Sequence, residues 1–369
     1  MGMEFYGDSY KGNDEPIFVG IPTFLKLPWL RSKAELNKVK PDVAIIGEPF
    51  DFGTTIRPGA RYGPRAIRAA STVPSPPYEH FNIETGMDPF GVFKTIDYGD
   101  VNISPGDVIE SHRRMTDKVK EVLDVDGIPV MLGGDHSITF ANVRAFAKKY
   151  KNIGMIHIDT HADCAPQGLC GFKYDHGAHI RRIMELGCLK GKNYTLIGPR
   201  GYWPGPDIYK WMADQDFQWF TMLDVEELGI DQIAKEAADR ANDNVDAVYI
   251  SWDIDTFDPA YAPGTGEPEP NGLTSREGMR LMRLLSTSFN PDKFAFDLVE
   301  VAPNYDVSDQ NSYNGGITSG LANRLIVELL AGLALTKKGK MEGNPVRPKF
   351  YRGTGHTYEF GKEKAKIPK

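Results

Sequence analysis

The sequence predicts an α/β protein, with helices covering both faces of an eight-stranded parallel sheet. Three observations lead there. Eight short apolar runs punctuate the chain, at 43–47, 95–98, 128–132, 153–158, 194–197, 218–222, 247–252 and 294–299. Stretches with helical spacing separate them, notably 108–123, 137–149, 230–241 and 275–286. The runs are apolar at consecutive positions instead of alternating, as strands buried on both faces require.

Taken in order, residues 1–40 are rich in Gly and Pro with scattered aromatics and read as an irregular arm. The run at 43–47 enters a loop, Arg57-Pro-Gly-Ala-Arg61-Tyr-Gly-Pro64-Arg65, whose Pro64 suits the first turn of a helix. The run at 128–132 enters Gly133-Gly134-Asp135-His136-Ser137, where paired glycines allow a tight turn. The run at 153–158 ends in Asp159, His161 and Asp163, a spacing that points all three side chains one way if the backbone stays extended. The run at 247–252 enters Asp253 and Asp255, and 294–299 delivers Glu300. An apolar helix at 321–335, interrupted by Arg324 and Glu328, is too short to span a bilayer. The tail, 337–369, carries ten Lys or Arg against three Glu and reads as a solvated basic arm. One domain, 41–336, is therefore expected between arm and tail.

Composition narrows the function. The chain has 369 residues and a net charge of −7 with acidic groups spread throughout, which argues against nucleic acid as a partner. Cys164, Cys170 and Cys188 form no Cys-x-x-Cys pair and are odd in number, so no disulfide framework is expected. The first residues lack a basic start and an apolar core, so a cytoplasmic location without membrane association is expected.

Parallel sheets place their ligands at the carboxyl ends of strands. Two histidines and four aspartates gather at that rim: His136, Asp159, His161, Asp163, Asp253 and Asp255. So much negative charge calls for cations, and carboxylates with imidazoles suit Mn, Zn, Ni, Co or Fe, two ions sharing bridging carboxylates. Asp135 reads as a strand cap, His157 as a core histidine, and His80, His112 and His356 as surface residues.

Three stretches carry a family resemblance: Gly-Gly-Asp-His-Ser (133–137), Asp-Thr-His-Ala-Asp (159–163) and Ser-Trp-Asp-Ile-Asp-Thr-Phe-Asp-Pro-Ala-Tyr-Ala-Pro-Gly-Thr-Gly (251–266). They resemble the ureohydrolases, the family of arginase and agmatinase, over residues 40 to 335. The resemblance implies an arginase-like three-layer α/β/α sandwich and hydrolysis of a guanidino compound. It implies one ion on His136, Asp159, Asp163 and Asp253, and a second on Asp159, His161, Asp253 and Asp255, either Ni²⁺ or Mn²⁺. Glu300 would orient the guanidinium, His176 would shuttle a proton and Asp163 could accept one. Cys164, His179 and Trp203 are candidates for the pocket wall, while Arg57, Arg61 and Arg65 would be structural.

The segment after the second motif, residues 164–173, departs from the pattern of arginases and common agmatinases, while Thr160, the early arm and Gly201-Tyr202-Trp203-Pro204 are similar to guanidinobutyrase-like and guanidine hydrolase-like members. Free guanidine or an N-substituted guanidine or biguanide such as metformin is the first expected substrate, with agmatine or guanidinobutyrate as the alternative. The resemblance also implies a homo- or hetero-hexamer (or trimer). A subunit that needs a paralogous partner, and a zinc deacetylase on a related sheet, are the readings from other classes.

Overall fold

The computed structural model describes residues 19–71, 80–82, 84–168, 171–307 and 315–339, with the short antiparallel pair Glu359–Phe360 and Glu363–Lys364. Apart from that pair, the basic tail beyond residue 339, with His356, lies outside the described residues, as do positions 1–18 and Cys170.

The chain runs α1 (Lys33–Val39), β1 (Val43–Glu48), α2 (Gly63–Ala70), β2 (Thr95–Asp100), α3 (Val108–Asp124), β3 (Ile128–Gly133), α4 (Ile138–Lys149) and β4 (Ile153–Ile158). It continues α5 (His179–Glu185), β5 (Leu189–Ile197), α6 (Pro206–Asp214), β6 (Gln218–Phe220), α7 (Met222–Leu228), α8 (Ile230–Ala241), β7 (Ala247–Asp253), α9 (Ser275–Ser286), β8 (Phe294–Val299) and α10 (Ile317–Lys337). The eight strands form one sheet in the order β2-β1-β3-β8-β7-β4-β5-β6, and every neighbouring pair is parallel. Each anticipated strand is present. Side chains alternate between two cores: Val43 and Ile45 of β1 join one with α8, α9 and α10, while Ala44 and Ile46 join the other with α3 and α4.

Four expectations change. The arm is not irregular throughout: Ser32 and Glu35 form a reciprocal capping box that starts α1. Phe24, Leu25, Leu27 and Leu36 are buried, and the Phe24 N–H donates to Asp97 Oδ2 at 2.8 Å, so the packed domain begins well before residue 41. The run at 218–222 stops at Phe220, because Thr221 and Asp224 cap α7 and take Met222 into that helix. Helix α10 has 21 residues and by length and composition could cross a membrane, but most of it is buried in this fold. Its Glu328 is fully buried and pairs with Arg283 and Arg324. Burial opposes that charge, and the two guanidiniums outweigh it, holding the carboxyl below its usual range.

His112 is the fourth. It is not a surface residue but 1% exposed, packed against Phe50, Phe140 and Tyr174. Ser137 Oγ donates to Asp135 Oδ1, so it accepts from His112 Nε2 at 3.2 Å. Burial, then Arg144, push the imidazole pKa down to about 3. The unfolded ring takes up a proton near pH 6.5, so this residue's contribution is complete above that pH and declines as pH falls toward 3. We expect His112→Gln to reduce the pH slope of unfolding free energy in that window by up to about 1.4 kcal/mol per pH unit. Urea unfolding at several pH values measures the slope, and an unchanged slope would contradict the assignment. His80 is half-buried, with its ring 4.5 Å from Phe90.

Candidate metal centre

Strand order brings distant stretches together. Strands β3, β8, β7 and β4 are consecutive in the sheet, with Leu132, Leu298, Trp252 and Ile158 in register. Their carboxyl ends are therefore level. His136 follows β3, Glu300 follows β8, Asp253 closes β7, and Asp159 follows β4.

The local backbone differs from the extended segment expected at 159–163. Strand β4 ends at Ile158, and the three ligand candidates converge through a turn. Asp159 Oδ1 accepts from the His161 N–H at 2.6 Å, and Asp163 adopts a left-handed φ of 49°. Asp253 Oδ1 likewise accepts from the Asp255 N–H at 2.8 Å, starting a 3₁₀ turn over Ile254–Thr256. Glu300 is also left-handed, with φ 63°. Such conformations cost non-glycine residues about 1–2 kcal/mol each and persist where surrounding bonds fix them. Here the Glu300 N–H donates to Gly134 O, and its Oε1 accepts from the His136 N–H, each at 2.8 Å.

All six ligand candidates meet. His136 Nδ1 lies 3.0 Å from Asp159 Oδ2, 3.3 Å from Asp163 Oδ2 and 3.0 Å from Asp253 Oδ2, yet makes no well-formed hydrogen bond to any of them. His161 Nδ1 lies 3.2 Å from Asp255 Oδ2 and 3.6 Å from Asp159 Oδ1. Donor atoms within 4.8 Å of one another form the groups His136–Asp159–Asp253 and Asp159–His161–Asp255, which share Asp159. Asp253, expected in both sets, falls only in the first.

Charge supports the same reading. Burial and the neighbouring Asp159 push Asp163 up to about 7, and burial with Asp255 and Asp159 holds Asp253 well above the carboxylate range. Burial would discharge His136 and His161, but the surrounding aspartates outweigh it and raise both, His161 to about 10. A buried orphan nitrogen amid converging carboxylates fits divalent cations with oxygen and imidazole ligands.

A cavity of about 540 Å³ opens over this cluster, lined in part by His161, Asp163, Asp253, Asp255, His176 and Glu300. His176 Nδ1 is 3.0 Å from Glu300 Oε1, and Nε2 is 3.0 Å from Thr55 Oγ1 and 3.5 Å from Glu267 Oε1. Burial disfavours a charged ring, while Glu300 and then Glu267 outweigh it and raise the imidazole well above its ordinary pKa. The Thr55 N–H, 3.3 Å from Nε2, can bond only a neutral ring. Both protonation states are thus supported, as proton transfer requires.

Trp203 lines the cavity, its ring edge-on to His161 at 5.8 Å. Cys164 and His179, expected as wall residues, do not line it. Cys164 is fully buried, with Sγ–H toward Ala162 O, and burial raises its thiol. His179 is 1% exposed, stacked on His136 at 4.1 Å and donating from Nδ1 to His176 O. Arg61 pairs with Asp51 and Arg57 lies over the Tyr305 ring, consistent with a structural loop.

Asp135 caps the turn as anticipated, accepting from Gly53 N and Ser137 N, but it is fully buried, and burial with nearby Glu300 raises it to about 7. His157 is a satisfied core histidine with a further contact: Nδ1 meets Tyr194 OH at 2.8 Å and Nε2 meets Asp159 Oδ2 at 2.7 Å. The contributions of Thr55 and Glu267 were not anticipated. Both sit in loops without periodicity, where sequence spacing does not indicate direction.

The chain belongs to the arginase family, whose model matches residues 41–332. It is 36% identical over 322 residues to guanidinobutyrase of Pseudomonas aeruginosa, covering 87% of this chain and 95% of the relative. It is 37% identical over 315 residues to mitochondrial agmatinase of Gallus gallus, covering 85% and 86%. Among solved structures, proclavaminate amidino hydrolase from Streptomyces clavuligerus superimposes with a TM-score of 0.75 at 33% identity, covering 87% of this chain and 100% of that one. These relationships leave no place for the deacetylase reading.

Proposed function

We propose that this arginase-family hydrolase converts a linear alkylguanidine to urea and an amine, with agmatine the best-fitting substrate. The carrying observation is the buried cluster of four aspartates and two histidines beside Glu300 and His176 at the cavity. His136, Asp163 and Asp253 would hold one divalent ion, His161 and Asp255 the other, with Asp159 shared. Four carboxylates to two imidazoles suit Mn²⁺, with Ni²⁺ the alternative. When bound, such ions supply a water nucleophile ionised near neutral pH and balance the aspartates.

The remaining work falls to the protein's own groups. Glu300 Oε1 is occupied by the His136 N–H and His176, leaving Oε2, which lies toward Gly266, for the substrate guanidinium. His176, with Asp163 as a second proton acceptor, carries the proton lost by water to the departing amine nitrogen. Trp203 flanks the alkyl chain. Glu300→Gln should keep metal bound while lowering kcat/KM roughly 10- to 100-fold, the loss of one charge-assisted pair. Unchanged kinetics would remove Glu300 from substrate orientation.

Guanidine and metformin, placed first by sequence resemblance, fit less well. A cavity of about 540 Å³ is generous for guanidine, and the relatives above are named for longer guanidino compounds. Glu267 and Glu269 line the cavity and no Lys or Arg does so among the described residues, which favours a distal ammonium over a carboxylate. The guanidinobutyrase relative supports 4-guanidinobutyrate as the second reading. A urea-release panel of agmatine, 4-guanidinobutyrate, guanidine, metformin and arginine, with Mn²⁺ or Ni²⁺, tests both. Agmatine should lead by at least roughly tenfold in kcat/KM, about 1.4 kcal/mol. A lead for guanidinobutyrate would establish the second reading, and silence with metal bound would refute both for the chain alone. Turnover appearing only with a paralogous chain would make the protein a hetero-oligomer subunit. The hexameric or trimeric assembly proposed from resemblance is measured by light scattering.

A further inference from the structure

We propose that Asp297, acting through Ser251, is a positioning residue that fixes His136 in its Nε2–H tautomer and so aims the Nδ1 lone pair at the aspartate cluster. The inference rests on His136 serving as a metal ligand.

Ser251 on β7 and Asp297 on β8 are cross-strand partners, both fully buried, and neither lines the cavity. Ser251 Oγ–H donates to Asp297 Oδ1 at 2.6 Å. Asp297 Oδ2 accepts from Thr139 Oγ1 at 2.8 Å, from the Tyr249 hydroxyl, and more weakly from Asn142 Nδ2 at 3.4 Å. The carboxylate is thereby saturated with donors and holds the serine hydroxyl in one orientation.

A hydroxyl has a single hydrogen, and that of Ser251 is committed to Asp297. The 2.8 Å contact between Ser251 Oγ and His136 Nε2 must then be an Nε2–H donating to oxygen. In a neutral imidazole the other nitrogen carries the lone pair. That nitrogen, Nδ1, is the atom lying 3.0 to 3.3 Å from Asp159, Asp163 and Asp253. The opposite tautomer would present an N–H to the centre and leave it without a donor. The arrangement also accounts for two chemically specific residues in the middle of otherwise apolar strands.

The test uses the full-length protein with ¹⁵N-labelled histidine, loaded with diamagnetic Zn²⁺. His136 should show a protonated Nε2 and an unprotonated Nδ1, and the reverse pattern in the wild type would overturn the proposal. Ser251→Ala should bind Mn²⁺ roughly 10- to 100-fold more weakly in equilibrium dialysis, the usual cost of losing a ligand-orienting partner. The same variant should show mixed protonation at His136. Tyr249→Phe removes a different donor to Asp297 and should leave both affinity and tautomer unchanged. Wild-type Mn²⁺ affinity in Ser251→Ala, or an equal loss in Tyr249→Phe, would show that the network supports only the core.

Discussion

Asp159→Ala is expected to lose bound divalent metal and turnover together, with kcat/KM falling at least roughly 10³-fold. Asp159 is the carboxylate shared by both donor groups, and its two oxygens face different histidines: Oδ2 lies 3.0 Å from His136 and Oδ1 3.6 Å from His161. Removing it would take a ligand from each proposed ion at once and leaves His157 Nε2 without its 2.7 Å partner. The several kcal/mol that metal ions contribute to catalysis set the magnitude, since about 4 kcal/mol corresponds to a thousandfold. Elemental analysis after dialysis, alongside urea release, checks the result. Full occupancy by both ions in a folded variant would sink the shared-ligand assignment.

His176→Asn should separate chemistry from metal binding. His176 belongs to neither donor group that contains Asp159, and its ring nitrogens bond Glu300 and Thr55. Metal content should therefore stay at the wild-type level while kcat falls roughly 10²- to 10⁴-fold, the range for a positioned acid–base group. KM should change much less, because on the proposed reading Glu300 would still carry guanidinium recognition. Metal loss in this variant would recast His176 as part of the metal site, and a wild-type kcat would exclude proton transfer through it.

The two variants probe different layers of one rim. Asp159 tests whether charge neutralisation by cations holds the centre together, and His176 tests whether proton delivery limits the reaction. Glu300 joins these layers at the cavity wall, because its Oε1 bonds both the His136 backbone N–H and the His176 ring.

The sequence by itself determined the layer architecture and supplied the inventory of candidate ligands. Continuous apolar runs separated by helical spacing are a direct consequence of burying a parallel sheet on both faces, so all eight strands were readable. Ligand candidates were readable because charged residues directly after such runs have few other uses, and motifs at 133–137, 159–163 and 251–266 keep them in short windows. The alternation argument for 159–163 picked out side chains that do converge, but a left-handed turn at Asp163, not an extended strand, gathers them.

Tertiary structure decided what lies around those ligands. His112, His157 and His179 differ little in local sequence signal, yet one packs on aromatics, one bonds Asp159 and one stacks on His136. Burial and partner are properties of elements meeting across the sheet. Thr55, Glu267, Ser251 and Asp297 come from different loops and strands, and only the order β3-β8-β7-β4 sets Ser251 and Asp297 behind His136. Local spacing fixes which side chains share a face over a few residues, while contacts between positions a hundred or more residues apart require strand order and register.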